Sequence, residues 1–434
     1  MFEVFRNAWK LADLRKKILY TLFIILIFRL GASIFVPFLD TDKISTVLGM
    51  DSGSGNLFSY WDQMTGGSLS NGTLFAMSIT PYINASIIIQ LLTVAIKPLE
   101  RLAKEGDEGR KKLNKINKLV ALGLAIFQAV AFYITLRNGG VVKYTNGFDG
   151  VISAIVIVGC FVAGASLIIW LGDQISEKGI GNGISMILFA GIVSRIPADV
   201  IGLFRTISAG GMKNAILVPI ILIIYVGMIT LVVLMTNAER KIPVQYAKRV
   251  VGRKMYGGQS SYIPIKVAMS GVMPIIFAMS IMSLPSTICF FFGIDGQGTS
   301  FWDGFVKLFS TSSWLYAVLY FLLIIGFNYF YVAIQYNPIQ IANDLKKNNG
   351  AIPGYRPGQP TADFINNSLS KVTLIGAIFL GFIAIFPIIF QNLSGIQGLS
   401  LGGTTILIVV GVSLETVRSL ESQMMMRHHK GFLE

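Results

Sequence analysis

Long apolar runs separated by short polar segments dominate the chain. Because an α-helix rises about 1.5 Å per residue, roughly 20 apolar residues are needed to cross about 30 Å of hydrocarbon. Ten such runs are present, at residues 18–37, 73–96, 119–136, 150–171, 183–203, 215–236, 265–293, 313–335, 372–390 and 401–420. The pattern predicts an all-α polytopic membrane protein with ten transmembrane helices and both termini on one side.

Lysine and arginine are distributed unevenly between the two sets of connecting segments. The N-tail, the alternate loops that begin near Lys97, Asp173, Asn237 and Tyr336, and the C-tail hold 28 of the 36 basic residues. Cytoplasmic loops are enriched in Lys and Arg, so both termini are predicted to be cytoplasmic. The first run lacks a small-residue cleavage site at its end, so we expect it to be retained as a transmembrane helix.

Composition excludes several classes of protein. The chain is 53% hydrophobic and 13% charged, with a mean hydropathy of +0.66, whereas a soluble domain has roughly 25% charged residues. Two cysteines in apolar runs and two adjacent histidines in a polar tail offer neither a disulfide framework nor a zinc site. We therefore expect no cofactor. Because no histidine and no aspartate pair lies within the apolar runs, we also expect no enzymatic activity.

Charged residues at membrane depth narrow the function further. Arg29 is the only one that the run pattern places centrally, and the favoured interpretation is an arginine that bonds neighbouring carbonyls or extends along its helix to the interface. Ion-coupled transporters require ionisable groups within their helices. A passive channel is therefore preferred, and a secondary transporter of a small solute remains the alternative.

A 35-residue stretch at 38–72 is too polar to span the membrane and too long for a tight turn. Apolar residues recur there at helical spacing between glycine pairs. They are Leu57, Phe58, Tyr60, Trp61 and Met64, with Gly53 and Gly55 on one side and Gly66 and Gly67 on the other. The pattern indicates a short hinged helix that re-enters the bundle; an interfacial helix on the external surface is the alternative.

Two apolar runs contain a proline followed by isoleucines. Pro81 is expected to bend the second helix at its middle, and Ile79 and Ile83 lie four residues apart on one face. Pro274 occupies a similar place in the seventh run, the second of the second set of five. Corresponding Pro-interrupted helices are a weak sign of two related halves with a site between them. Taken alone, an isoleucine stripe is more often a lipid-facing or packing surface than a gate.

Two polar segments have different interpretations. The glycine-rich stretch at 172–183 follows no strand, so it is interpreted as a tight cytoplasmic connection and not as a phosphate loop. The loop at 237–262 has six basic residues interleaved with Tyr246, Val250 and Tyr256, and a second loop covers 336–370. Such loops are suited to docking acidic protein or RNA phosphate, although enforcing topology alone is the alternative.

Four segments of the chain are distinctive: PYINASIIIQ at 81–90, GDQISEKGIGNG at 172–183, AERKIPVQYAKR at 238–249 and PGYRPG at 353–358. Together they closely resemble the SecY family of bacterial protein-translocation channels. With ten matching helices, the resemblance spans nearly the whole chain. It implies two pseudo-symmetric five-helix halves around a central pore, with a lateral gate between helices two and three and helices seven and eight.

The resemblance also implies a division of the chain and residue roles. An N-tail (1–17) precedes a half at 18–203 with a plug at about 54–67, followed by a half at 204–420 and a C-tail (421–434). The implied pore ring is Ile79, Ile83, Ile184, Leu188, Ile276 and Ile408, and the implied lateral-gate residues are Asn84, Gln90 and Ser280. The implied docking residues are Arg240, Lys248, Arg249, Arg253, Lys254 and Arg356.

The partners implied are SecE, which would clamp the halves, a peripheral SecG, and the SecA ATPase or a ribosome with its nascent chain on the basic loops. Secretory preproteins with their signal peptides would be the clients, in the plasma membrane and in contact with its lipid. A ring of branched apolar side chains holds water poorly yet deforms around a polypeptide. The chain has no phosphate-binding lysine loop, so a partner must supply the energy.

Overall fold

The computed structural model describes residues 2–48, 57–209, 211–246, 249–251, 254–256, 260–291, 304, 308–309, 313–394 and 403–428, and they are mostly helical. The helices are α1 (Phe2–Lys10), α2 (Ala12–Gly31), α3 (Thr41–Val47), α4 (Leu57–Met64), α5 (Thr80–Ala95), α6 (Lys97–Lys104), α7 (Asp107–Asn138), α8 (Gly147–Lys178), α9 (Gly183–Ala209), α10 (Gly211–Asn237), α11 (Met273–Phe291), α12 (Trp314–Gln335), α13 (Pro338–Lys347), α14 (Gln359–Ser394) and α15 (Gly403–His428). The strands are β1 (Glu239–Tyr246), β2 (Arg249–Val251), β3 (Lys254–Tyr256), β4 (Ser260–Lys266) and β5 (Gly350–Ala351).

A helix overlaps each of the ten apolar runs. Among the described residues, five helices are long and apolar enough to cross a membrane, and a sixth qualifies if the bent pair α5 and α6 forms one span. The five lie at 108–138, 147–178, 183–202, 314–347 and 359–389. These lengths and compositions identify a membrane-embedded protein.

The chain divides into two compact units. The first comprises Met1–Ala215, Ser280–Tyr316 and Gln391–Glu434, and the second comprises Ile216–Met279 and Ala317–Phe390. In the first unit, α7 packs on α5 and α8, and α9 packs on α8 and α15. Its largest described core joins Ile44, Phe132 and Phe161 with their apolar neighbours, and the two phenylalanine rings meet edge to face at 5.4 Å.

The mid-helix bend predicted at Pro81 is wrong. Helix α5 begins at Thr80, so Pro81 lies in its first turn, where the missing N–H of proline costs nothing. Pro274 is likewise the second residue of α11. The bend lies at the other end of α5, where the chain turns by 106° into α6 and Pro98 lies in the first turn of the new helix.

The glycine-rich segment predicted as a connection is mostly helical. Helix α8 continues to Lys178, so the connection is reduced to 179–182. A Cβ added at Gly183 would overlap the carbonyl oxygen of Gly172, which shows that α8 and the start of α9 are in backbone contact. The Ile180 N–H donates to Thr21 Oγ1 at 3.2 Å and ties the connection to α2. These glycines therefore permit close helix packing.

The prediction of an all-α protein omitted a small sheet in the second unit. Strands β1 and β4 pair antiparallel from Glu239↔Lys266 to Gln245↔Ser260, and β5 pairs with the end of β1. Residues in β1 alternate between exposed and buried, and its buried side chains, Ile242 and Val244, join a core with residues from α13 and α14. Period-two burial favours a strand over a helix or an irregular loop.

Candidate functional site

Two implied ring residues lie at the start of α5. Ile79 is buried and precedes the first residue of the helix, and Ile83 follows one turn later and is half-buried. The Ile83 N–H donates to the Ile79 carbonyl at 3.0 Å, so the two lie on one face as predicted. The helix start thus fixes both side chains relative to each other.

Three more ring residues belong to two helices that pack on each other. Ile184 and Leu188 are one turn apart near the start of α9, and Leu188 is buried. Ile408 is buried in α15, which packs on α9. Thr416 Oγ1 approaches Met186 Sδ at 3.4 Å and fixes the register of the two helices. The structure therefore places these three side chains on adjacent elements of the first unit.

Ile276 lies in the second unit, in the first turn of α11, where it is buried. Its neighbour Phe277 packs edge to face on Phe327 at 6.0 Å and on Tyr331 at 6.4 Å, both from α12. These contacts hold the start of α11 against α12. Convergence of all six residues into one ring stays a prediction.

The short helix predicted in the plug stretch is present as α4. Its residue Trp61 packs on the core of the first unit. The turn that follows contains Gly66 and Gly67, with φ of 68° and 87°, a conformation that favours glycine. Gly53, Gly55 and the first residues of the proposed plug, 54–56, lie outside the described residues.

Helix α4 packs on α9 through backbone contact. A Cβ added at Gly191 would lie 2.6 Å from the Met64 carbonyl oxygen, and one added at Gly66 would lie 2.6 Å from the Gly191 carbonyl oxygen. Only residues without side chains allow two backbones to approach so closely. The end of α4 is therefore seated directly on α9.

An ion pair that the sequence pattern does not predict joins α4 to α9. Asp62 of α4 is 2% exposed, and its Oδ2 pairs with Arg195 Nη1 of α9. Its Oδ1 accepts the Ser70 N–H at 2.7 Å. The two residues are 133 positions apart in the sequence. From the sequence alone, Arg195 is only one of several basic residues expected on the external side, so its pairing with Asp62 is not predicted. A signal was nevertheless present, since Asp62 is the one charged residue in a short helix predicted to enter the bundle.

Arg29 lies beneath the same turn. Its Nη1 is buried and makes no hydrogen bond among the described residues, so the predicted carbonyl bond is not made by this nitrogen. A Cβ added at Gly66 would lie 2.9 Å from this atom. Two guanidinium groups, those of Arg29 and Arg195, therefore border the turn at Gly66 and Gly67.

The implied lateral-gate residues are all half-buried. Asn84 and Gln90 lie on α5, and Ser280 lies on α11. The carbonyl of Gln90 accepts from Thr93 Oγ1 at 2.6 Å, and the carbonyl of Ser280 accepts from Ser283 Oγ at 2.7 Å. A role for these side chains in a gate stays a prediction.

The implied docking residues lie on two segments of the second unit. Arg240 is exposed on β1, and Arg356 is exposed in the turn between β5 and α14. Arg249 and Lys254 belong to β2 and β3, which pair as a ribbon between β1 and β4. Lys248 and Arg253 lie outside the described residues. The described part of the loop at 237–262 is thus a β-hairpin extension.

Comparisons with known proteins agree with the segments singled out in the sequence. A family model described as SecY matches residues 73–417. Protein translocase subunit SecY of Mycobacterium bovis is 41% identical over 447 residues, and the alignment covers 100% of both chains. The corresponding subunit of Streptomyces coelicolor is 39% identical over 443 residues, again with 100% coverage of both.

Solved structures share the fold. One is a SecY protein whose plug domain stabilises the closed state of the translocation channel and maintains a membrane seal, with a TM-score of 0.67 and 19% identity. Another is Sec61 in the canine ribosome-channel complex from the endoplasmic reticulum, with a TM-score of 0.64 and 19% identity. Each alignment covers 94% of this chain and 92% of the other.

Proposed function

The chain belongs to the SecY family, and from that premise we propose how its own residues conduct polypeptides. The channel passes unfolded secretory polypeptides across the membrane and releases hydrophobic segments into the bilayer. One observation carries the proposal for this chain: α4, which is far too short to span a membrane, is seated inside the first unit on α9. A short helix in that place has the form of a stopper for a conduit.

Ten spanning helices in two halves, 18–203 and 204–420, form the conduit in this proposal. The overlap of one helix with each apolar run supports it. The basic bias of the alternate connections supports cytoplasmic termini. The plasma membrane is then the location in a bacterial cell.

The seal consists of the six-residue ring in this proposal. Ile79 and Leu188 are almost fully buried at the starts of α5 and α9, which fixes where their branched side chains lie. A constriction of such side chains excludes water and therefore ions. It has no hydrogen-bond donor or charge with which to select among the side chains of a client, so it is sequence-tolerant.

The choice between export and membrane insertion then depends on the client. At the centre of a transmembrane segment, inserting a Leu or Ile residue into the membrane is favourable by roughly 0.3–0.6 kcal/mol. Inserting Lys or Asp there is unfavourable by about 3 kcal/mol. A lateral gate with Asn84, Gln90 and Ser280 gives the segment access to lipid. Partitioning of the segment between the channel and the lipid therefore decides whether it is exported or inserted.

Directional movement depends on partners. We assign docking of SecA or of a ribosome with its nascent chain to the basic hairpin and to the turn with Arg356, which is exposed. The similar fold of a ribosome-bound Sec61 supports the ribosome as a partner. SecE clamps the halves and SecG lies peripherally in this proposal.

Reconstitution tests the proposed function. The protein is incorporated into vesicles with SecE and SecG, and a secretory preprotein is added with SecA and ATP. We expect the preprotein to become protected from external protease only when SecA and ATP are both present. Uptake of a small solute down an ion gradient, with no protected preprotein, would instead identify the secondary transporter.

A further inference from the structure

We infer that Asp62 and Arg195 form a latch that holds the plug helix on α9, and that this ion pair must separate before the channel opens. The inference rests on the proposed role of α4 as the plug. Both residues lie outside the proposed ring, and their ion pair determines how readily the closed channel opens.

The environment of the pair gives it this role. The Asp62 side chain is 2% exposed, whereas that of Arg195 is 30% exposed. A buried carboxylate that loses its partner retains the full cost of desolvation, so breaking a buried pair is more costly than breaking a surface pair. Separation of α4 from α9 therefore requires that Asp62 be hydrated or paired again elsewhere.

Asp62 also organises the turn that ends the plug. Its backbone carbonyl accepts from the Gly67 N–H at 2.9 Å and from Thr65 Oγ1 at 3.0 Å, while Oδ1 accepts from the Ser70 N–H at 2.7 Å. An asparagine keeps an oxygen for the Ser70 N–H and removes only the charge. Asp62→Asn is therefore a selective test of the ion pair.

Arg29 makes the latch asymmetric. Its buried Nη1 lies against Gly66, so Arg29 and Arg195 both border a turn in which Asp62 supplies negative charge. Neutralising Asp62 leaves two unbalanced cations beside the plug, whereas neutralising Arg195 leaves one carboxylate and one cation. Loss of Asp62 should therefore open the channel more than loss of Arg195.

Resting ion conductance in planar bilayers measures the latch. For Asp62→Asn we expect a rise of roughly ten- to hundredfold, since breaking a buried pair shifts a two-state equilibrium by a few kcal/mol. Arg195→Gln should raise conductance less, and Arg195→Lys should stay close to wild type because it keeps the charge. The double variant should leak no more than Asp62→Asn alone, since the interaction is lost only once.

Asp173→Asn is the matched control. It removes the Lys118–Asp173 pair, at 2.6 Å, which joins α7 to α8 in the same unit and does not involve α4, so conductance should not change. Assembly with SecE verifies that each variant is folded. If Asp62→Asn does not assemble, Arg195→Gln and Gly191→Ala take its place, since a methyl group at Gly191 would push on the Met64 carbonyl.

A deletion of residues 58–64 separates failure of the latch from failure of the plug. If the deletion raises conductance and the folded charge variants do not, the latch is wrong and the plug role stands. If the deletion also leaves conductance unchanged, α4 is not a plug. Leakage from Asp173→Asn equal to that from Asp62→Asn would overturn the latch as well, because any lost ion pair would then have the same effect.

Discussion

In the proposed channel, single side chains determine closure by two different physical means. The proposed ring excludes ions by being apolar, whereas the proposed latch holds α4 on α9 by charge. The shared face of Ile79 and Ile83 could be predicted because spacing along a helix is local information, as the bond from the Ile83 N–H to the Ile79 carbonyl illustrates. The pairing of Asp62 with Arg195 could not, because it depends on which helices become neighbours.

Replacing Ile83 and Ile276 with serine should damage the seal. A hydroxyl group in place of a branched side chain widens and wets the constriction, so we expect resting conductance to rise by roughly tenfold, equivalent to about 1.4 kcal/mol of barrier. Planar-bilayer recordings measure it. Ile88→Ser on the same helix is the control, because Ile88 is 40% exposed; equal leakage from this variant would contradict the ring.

At the scale of helices and strands, sequence patterns predicted where the elements are better than where they begin. A helix overlaps each apolar run, yet α5 begins at Thr80 and not at 73 because proline is favoured in a first turn. The strands in the loop at 237–262 were not predicted, because the interpretation of that loop used its charges alone. The alternation of apolar and polar residues in β1 would have indicated a strand. The close approach of α8 and α9 at Gly172 and Gly183 is a tertiary property that glycine content alone does not specify.

Gly183→Ala tests that helix contact. The added methyl group overlaps the Gly172 carbonyl, so we expect a loss of about 1–3 kcal/mol of stability, as for other overpacked sites. Thermal unfolding of the purified complex in detergent measures the change. Gly123→Ala on α7 is the control: a Cβ there meets nothing within 4 Å, and alanine favours a helix. Equal destabilisation by both variants would exclude the contact as the cause.

At the scale of the whole molecule, docking and conduction should be separable, since the proposed docking residues lie on the basic hairpin and in the turn between β5 and α14. Arg356→Glu and Arg249→Glu should strongly impair SecA-driven or ribosome-coupled transport, because a carboxylate repels the groups that arginine binds. Resting conductance should stay at the wild-type level. Lys143→Glu, on an exposed connection predicted to face the opposite side, is the control.

Salt distinguishes the two docking partners. Contacts with ribosomal RNA should weaken as salt rises, in proportion to the phosphates engaged, whereas a motor contact that combines fewer charge pairs with apolar area should change less. Binding of ribosomes and of SecA to vesicles across a salt series measures this difference.

Resting conductance provides the test of the glutamate variants. If ion leakage rose together with the transport defect in Arg356→Glu and Arg249→Glu, these arginines would instead stabilise the channel itself.

A polypeptide in transit must touch the ring if the ring is the narrowest part of the conduit. With Cys160 and Cys289 replaced by serine, single cysteines at Ile83, Ile408 and Ile88 can be tested for disulfide crosslinking to a cysteine in an arrested preprotein. We expect crosslinks at 83 and 408 and none at 88. Crosslinking at 88 with none at the two ring positions, while the preprotein is demonstrably arrested, would contradict passage through the ring.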